Sequence, residues 1–220
     1  SLRLDWMLHD GDPLAAGQKV ATIGGRIGSI LTGERTALNF LGHLSGVASL
    51  TRRYAAAAAA AGSARVLDTR KTLPGLRQLQ KAAVRAGGGS NHRMSLSDMV
   101  MLKDNHLAAI GIFGTVSRAR ELWPTLRVEV ECDNPEQVVE AVDAGADVVM
   151  LDNMTPDEVG WCVAKVGGRC KVEVSGGVTL ETIAAYSAAG PDFISIGRLT
   201  HSAPQLDLSL EIRVTPLEEG

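Results

Sequence analysis

The chain has 220 residues, 45% hydrophobic and 21% charged, enough to bury a sizeable core as one domain or one domain with an appendage. A formal net charge of −3 excludes broad affinity for nucleic acid, so any anion site must be a local basic cluster. No apolar run is long enough to span a bilayer, and the N-terminus lacks a signal-peptide pattern; Cys132, Cys162 and Cys170 have no metal-type spacing and predict buried thiols in a reducing cytoplasm.

Residues 1–30 predict two short strands, 3–8 and 19–23, separated by the turn Gly11-Asp12-Pro13. They are too few to close a core alone. Thr32 is predicted to open a long helix with Glu34 in its first turn. Leu38, Leu41, Leu44 and Val47 or Ala48 recur at helical spacing, and the alanine tract carries the helix to about residue 61. From residue 65 the pattern changes. Strands are predicted at 65–68, 99–102, 128–131, 148–151, 172–174 and 193–196. Helices are predicted between them at 76–85, 115–122, 138–143, 157–166 and 182–188. Such alternation means parallel strands with crossover helices, in either an open doubly wound sheet or a β/α barrel. The barrel is preferred because polar residues gather at the C-terminal end of nearly every strand: Thr69-Arg70-Lys71, Lys103, Glu131, Asp152, Ser175-Gly176-Gly177 and Gly197. An open sheet would concentrate them at one switch point. The tail, 206–214, alternates with strict period two and predicts a half-buried strand returning to the N-terminal strands.

On that rim Arg70, Lys71, Arg93 and Lys103 are positive, with His92 as an optional fifth, and Glu131 and Asp152 are negative. Glu129 and Glu131 share one strand face, while Val128 and Val130 take the other. The balance points to a substrate with several negative charges and one developing positive charge, such as a phosphorylated sugar held beside a dicarboxylate. Ser175-Gly176-Gly177 and Gly197 follow the last two strands, where barrels of this kind bind phosphate. Lys103 alone would also suit a Schiff base, but an aldolase does not need Arg70, Lys71 and Arg93 as well. His43, His106 and His201 are less informative.

These residues fall into an ordered set: E-R-T-A-L-N around Arg35, D-T-R-K-T-L-P-G-L-R at 68–77, G-G-G-S-N-H-R at 87–93, K-D-N-H at 103–106, V-E-V-E at 128–131, L-D-N at 151–153, S-G-G at 175–177 and L-T-H-S at 199–202. The set, running from about Glu34 to Leu210, resembles the quinolinate phosphoribosyltransferases, which are also called carboxylating nicotinate-nucleotide pyrophosphorylases. The resemblance implies an open, incomplete α/β barrel beside an N-terminal α/β sandwich, the type II phosphoribosyltransferase fold. It implies that quinolinate and phosphoribosyl pyrophosphate, with Mg²⁺, give nicotinate mononucleotide, pyrophosphate and CO2 in de novo NAD synthesis. It also implies a homodimer or higher assembly with shared active sites. On matched positions, Arg35 reaches quinolinate from the partner subunit, Arg70, Lys71, His92 and Arg93 form the quinolinate clamp, and Thr69 is a further substrate-binding residue. Lys103 lies between the quinolinate carboxylates and the phosphoribosyl group. Glu131 and Asp152 face the ribose and hold Mg²⁺ through water; with Lys103 they are the catalytic set. Ser175, Gly176, Gly177, Ile196, Gly197 and Arg198 form the 5′-phosphate loops.

The expected organisation is a partial sandwich with its long helix over 1–62, the barrel over 63–205 and the returning strand over 206–220. Family members carry more of the sandwich ahead of Ser1, so residues 1–30 are expected to form a truncated version of it. Arg198 is bulkier than the small residue expected after Gly197. Two alternatives stay open at this point: a related phosphoribosyltransferase of other base specificity, such as the paralogue linked to molybdenum transport, and a catalytically silent phosphate-binding barrel.

Overall fold

The computed structural model describes residues 1–108 and 110–213. Strands β1 (Arg3–Trp6) and β2 (Ala21–Gly24) pair antiparallel, Leu4 opposite Ile23. Helix α1 (Ile27–Ala61) follows, and it begins at Ile27 instead of at Thr32. The Thr32 hydroxyl donates back to the Gly28 carbonyl at 2.7 Å, so it bonds within the helix and does not cap it.

The second unit contains β3 (Arg65–Leu67), α2 (Arg77–Ala86), β4 (Val100–Leu102), α3 (Asp104–Leu107), α4 (Gly111–Leu122), β5 (Val128–Cys132) and α5 (Pro135–Asp143). It continues through β6 (Val148–Asp152), α6 (Pro156–Val166), β7 (Lys171–Ser175), α7 (Ile183–Ala188), β8 (Phe193–Ser195) and α8 (Arg198–His201). The strands lie in the order β3-β8-β7-β6-β5-β4, every pair parallel. Ser90 adds one parallel bridge to Leu67 on the free side of β3. Sequence neighbours stay spatial neighbours from β4 to β8, and β8 then closes onto β3. There is no reversal of order, which sets aside the doubly wound sheet. Among the described residues no ladder joins Ser90 to β4, so the barrel is open between them.

Local chemistry explains where the elements start. Asn134 caps α5 by accepting the Gln137 N–H at 3.0 Å, and Thr155 forms a capping box with Glu158 at the start of α6; a proline follows each cap. Both helices therefore begin three residues before their first apolar periodic position, Val138 in α5 and Val159 in α6. Val128, Val130, Val149, Leu151, Val172 and Val174 turn outward under the helices and are almost wholly buried. Burying each such side chain stabilises by about 1.5–3 kcal/mol. The alternate residues Glu129, Glu131 and Glu173 occupy the opposite, inner face, as strand alternation requires.

The tail departs from expectation. Leu206, Leu208 and Leu210 are half-buried and Asp207, Ser209 and Glu211 are exposed, as the alternation predicts. Yet among the described residues the tail pairs with no strand. It lies against α1: the Leu206 N–H donates to the Gly42 carbonyl at 3.0 Å, and a Cβ on Gly46 would overlap the Pro204 carbonyl. The small residues of α1 thus form a groove that receives the extended backbone. Val214, the last residue of the expected strand, lies outside the described residues.

Candidate active site

The C-terminal ends of the strands bring most of the anticipated residues to one rim. β3 runs into Asp68-Thr69-Arg70-Lys71, β4 into Lys103, and β5, β6 and β7 carry Glu131, Asp152 and Ser175 in their last turns of chain. Thr69 accepts the Lys71 N–H at 3.0 Å, which curls the β3 loop, and Thr200 Oγ1 donates to the Lys71 carbonyl at 2.8 Å. The Arg70 and Lys71 side chains are exposed and form no hydrogen bond or ion pair among the described residues. Lys103 and Glu131 are ion-paired across the rim, with 40% and 18% of their side chains exposed. Asp152 is half-buried and its carboxylate accepts Asn153 Nδ2–H at 2.7 Å. Asn153 has φ 56°, a left-handed conformation asparagine tolerates, and its N–H donates to the Ser175 carbonyl at 2.9 Å. That turn locks the β6 and β7 loops together.

Arg93 is partly buried. Its guanidinium donates to the Met99 carbonyl at 3.3 Å and to Met101 Sδ at 3.2 Å. Burial lowers its pKa most, and the nearby Arg70 charge lowers it further. Two like charges held together in this way are the setting of an anion site. Gly176 and Gly177 have φ of 93° and 61°, so the loop needs glycine for its conformation. A Cβ on Gly176 would also collide with the Asn153 side chain. Gly197 has an ordinary φ of −66°; its smallness serves the Lys71 side chain, whose Cδ would lie 3.2 Å from an added Cβ. Ile196 is buried and offers its backbone only, while Arg198 is exposed near Glu181, whose carboxyl is lowered mainly by a hydrogen bond from Thr179 and to a lesser extent by the Arg198 charge. Arg35 is exposed on α1 and, among the described residues, touches none of the rim by hydrogen bond or ion pair.

A buried network that was not anticipated supports the rim. Lys81 of α2 and Asp68 at the end of β3 form an ion pair with both side chains 0% exposed. Lys81 Nζ also donates to the His92 carbonyl at 3.0 Å, and Asp68 accepts the His92 N–H at 2.9 Å and an Asn91 Nδ2–H. One pair therefore fastens the loop carrying Arg70 to the segment carrying Arg93. The signal was a lysine on the face of α2 that also holds Gln80 and Val84, both buried.

His92 does not reach the open rim. Its side chain is 7% exposed and turns inward, Nε2 lying 3.3 Å from Glu129 Oε2 and 3.4 Å from Glu173 Oε1. Both carboxylates are buried, and Ser195 Oγ donates to Glu173. Below them a cavity of 270 Å³ opens toward Arg65 and Arg127. Burial pushes the Glu129 carboxyl up to about 7, against the lowering influence of His92. Burial lowers the His92 imidazole and the two carboxylates raise it, but Nδ1 accepts the Arg93 N–H at 2.7 Å, which requires a ring nitrogen without a hydrogen, so the ring is neutral in this geometry. The Glu129 shift means that the folded protein keeps a proton that the unfolded chain releases: the unfolded group titrates near 4.5 and the folded one near 7. Unfolding free energy should therefore fall as pH rises through this range. Melting temperatures should decline as pH rises from about 4.5 through 7, and Glu129→Gln should flatten that decline; an unchanged slope in the variant would remove Glu129 from the account. The thiols are quiet by the same physics. Burial pushes Cys162 up to about 11 and Cys132 further still, and all three cysteines are free.

Known proteins fit this arrangement. The family described as "Quinolinate phosphoribosyl transferase, C-terminal domain" matches residues 47–211, and its "N-terminal domain" counterpart matches residues 1–45. A probable nicotinate-nucleotide pyrophosphorylase [carboxylating] of Bacillus subtilis is 44% identical over 213 residues, 95% of this chain and 73% of that protein. The enzyme of that name from Mycobacterium leprae is 40% identical over 214 residues, 96% of this chain and 75% of that protein. The crystal structure of NadC from Streptococcus pyogenes superposes with a TM-score of 0.92 at 43% identity, covering 96% of this chain and 75% of that one. With both family descriptions matched in succession on an open barrel whose rim carries the family's ordered motifs, the chain belongs to the quinolinate phosphoribosyltransferase family.

Proposed function

We propose that this chain transfers phosphoribosyl from phosphoribosyl pyrophosphate to quinolinate with loss of CO2, giving nicotinate mononucleotide and pyrophosphate for de novo NAD synthesis. The observation that carries the reading is the set of four cations, Arg70, Lys71, Arg93 and Lys103, on the same open rim as Glu131 and Asp152. Quinolinate brings two carboxylates, and guanidinium groups match carboxylates bidentately. Arg93, poised beside Arg70 and partly desolvated, is the centre of that clamp. Lys103 exchanges its Glu131 partner for a substrate carboxylate. The freed Glu131 and the Asn153-held Asp152 face the sugar, where positive charge develops as the C1–pyrophosphate bond breaks. The 5′-phosphate lies against the Gly176–Gly177 and Gly197 loops, whose N–H groups meet no protein acceptor among the described residues. The ring nitrogen forms the new bond to C1. The resulting pyridinium accepts the electron pair of the C2–carboxylate bond as CO2 leaves, and C2 then takes a proton. Such chemistry needs positioning more than a strong base.

Mg²⁺ suits the donors: Glu131 and Asp152 offer hard carboxylate oxygens at the ends of adjacent strands and would hold the ion through water. Bound there, the ion would supply positive charge to offset that of the leaving pyrophosphate. We propose a cytoplasmic enzyme, in keeping with three free thiols; no helix among the described residues is long and apolar enough to cross a membrane.

The direct test is ¹⁴CO2 release from carboxyl-labelled quinolinate. Release should require both phosphoribosyl pyrophosphate and Mg²⁺, and Arg93→Ala should reduce kcat/KM by roughly 10²-fold, the loss of one charge-assisted carboxylate contact. No release from folded protein would sink the reading.

A second chain is proposed to complete each site through Arg35. Supporting this, Arg35 makes no hydrogen bond or ion pair to its own rim among the described residues, and Trp6, Leu31 and Phe40 on the same unit are 53%, 49% and 41% exposed. Mixing inactive Arg35→Ala with inactive Arg93→Ala, with subunit exchange, should restore about a quarter of wild-type activity, because half the dimers are mixed and each has one intact site. No recovery despite demonstrated exchange would place Arg35 in its own subunit's site or outside any site.

A further inference from the structure

The trio His92, Glu129 and Glu173 lies beneath the rim and is unexplained by the chemistry above. It is built from three separate segments: Glu129 sits two residues below Glu131 on β5, Glu173 two below Ser175 on β7, and His92 directly precedes Arg93. The Glu129 side chain is 0% exposed, and neither its oxygens nor His92 Nε2 makes a well-formed hydrogen bond among the described residues. The three ligand-type atoms lie within 4.8 Å of one another, close enough to hold a metal ion. The other ring nitrogen argues against an ion. Nδ1 accepts the Arg93 backbone N–H at 2.7 Å, so the ring hydrogen must be on Nε2, the atom a metal would need bare. Nε2, carrying that hydrogen, is held by electrostatic attraction between Glu129 Oε2 at 3.3 Å and Glu173 Oε1 at 3.4 Å; this fixes the ring plane, and the ring in turn fixes the Arg93 amide. From that amide the Arg93 side chain reaches the Met99 carbonyl and Met101 Sδ.

We infer that Glu129 and Glu173 are positioning residues for Arg93, acting through the His92 ring, and that His92 orients the dicarboxylate clamp without touching the substrate. The inference rests on the proposed role of Arg93 in binding quinolinate. Preorganised arginines bind carboxylates better because their geometry is set before the ligand arrives. Loss of either carboxylate frees the ring to rotate, loosens the 92–93 peptide and lets the guanidinium wander, weakening quinolinate while sparing phosphoribosyl pyrophosphate.

The test is a double-mutant cycle read in KM for each substrate, with Glu129→Gln, Arg93→Ala and the pair. Glu129→Gln should raise KM for quinolinate by roughly tenfold, the scale on which lost supporting contacts are felt, with kcat and KM for phosphoribosyl pyrophosphate little changed. In the Arg93→Ala background the same substitution should do nothing further to KM for quinolinate. Additive losses in the two backgrounds would overturn the inference, as would an effect on kcat alone. Stoichiometric metal in purified wild type that Glu129→Gln abolishes would also overturn it, in favour of a metal site. If Arg93→Ala leaves KM for quinolinate unchanged, the clamp assignment itself fails, an outcome distinct from the others. Should Glu129→Gln not fold, Glu173→Gln tests the same link from β7.

Discussion

Lys81→Met is expected to lower the melting temperature by roughly 6–20 °C, the equivalent of about 3–5 kcal/mol for breaking a buried ion pair in a domain of this size. The size follows from what is left behind. Asp68 keeps the His92 N–H and the Asn91 amide as donors, but its charge stays fully buried without a counter-ion. Methionine fills much of the lysine volume, so the loss measures charge compensation more than a cavity. Because the pair ties the Arg70 loop to the Arg93 segment, activity should fall at temperatures where the protein is still folded. Thermal melts followed by circular dichroism, with activity measured well below the transition, separate the two effects. A change of only a degree or two would mean that water reaches Asp68 and the pair is less buried than its 0% exposure indicates.

Glu131→Gln is expected to reduce kcat by roughly 10²–10³-fold, the range seen when one preorganised electrostatic group facing developing charge is removed. The substitution keeps shape and hydrogen-bonding reach and removes only the charge. Its ion-pair partner makes the result informative. Lys103 is held by Glu131 before substrate binds, so neutralising Glu131 releases an ammonium group toward quinolinate, and KM for quinolinate should stay level or fall. Lys103→Ala should do the reverse, raising KM for quinolinate. Steady-state kinetics with both substrates varied would show the split. A Glu131→Gln enzyme within a few-fold of wild-type kcat would remove that carboxylate from the transition state.

The strands and the rim were legible in the sequence because each parallel strand carries buried Val, Leu or Ile under the helices and its functional residues at its C-terminal end. Glu131, Asp152 and Lys103 stand out for that reason: each is a charge directly after Val or Leu. The inner faces were less legible. Period-two alternation puts Glu129 beside Glu131, but it does not say that one lies in a sealed floor and the other on an open lip, since that depends on how far the sheet curls. His92 was misplaced for a related cause. It adjoins Arg93 in sequence, yet the two side chains part: His92 turns inward to Glu129 and Glu173, while Arg93 reaches Met99 and Met101. Lys81 was lost inside a helix read by its apolar periodicity, where a lysine counts as surface. Helices α3 and α8, four residues each, are too short to show any period.

The groove along α1 bears on the order in which the molecule is made. Gly42 and Gly46 are covered by Pro204 to Leu206, and β3 is paired by β8, so these segments wait for partners translated much later. Pairings between such distant segments are slow because the intervening loop must close first. On the ribosome, α1 and β3 emerge with one side bare and stay so until β8 and the 204–206 segment have followed them out. In that interval the nascent protein exposes an alanine-rich helix and an unpaired strand edge, and chaperone binding or misassembly competes with folding.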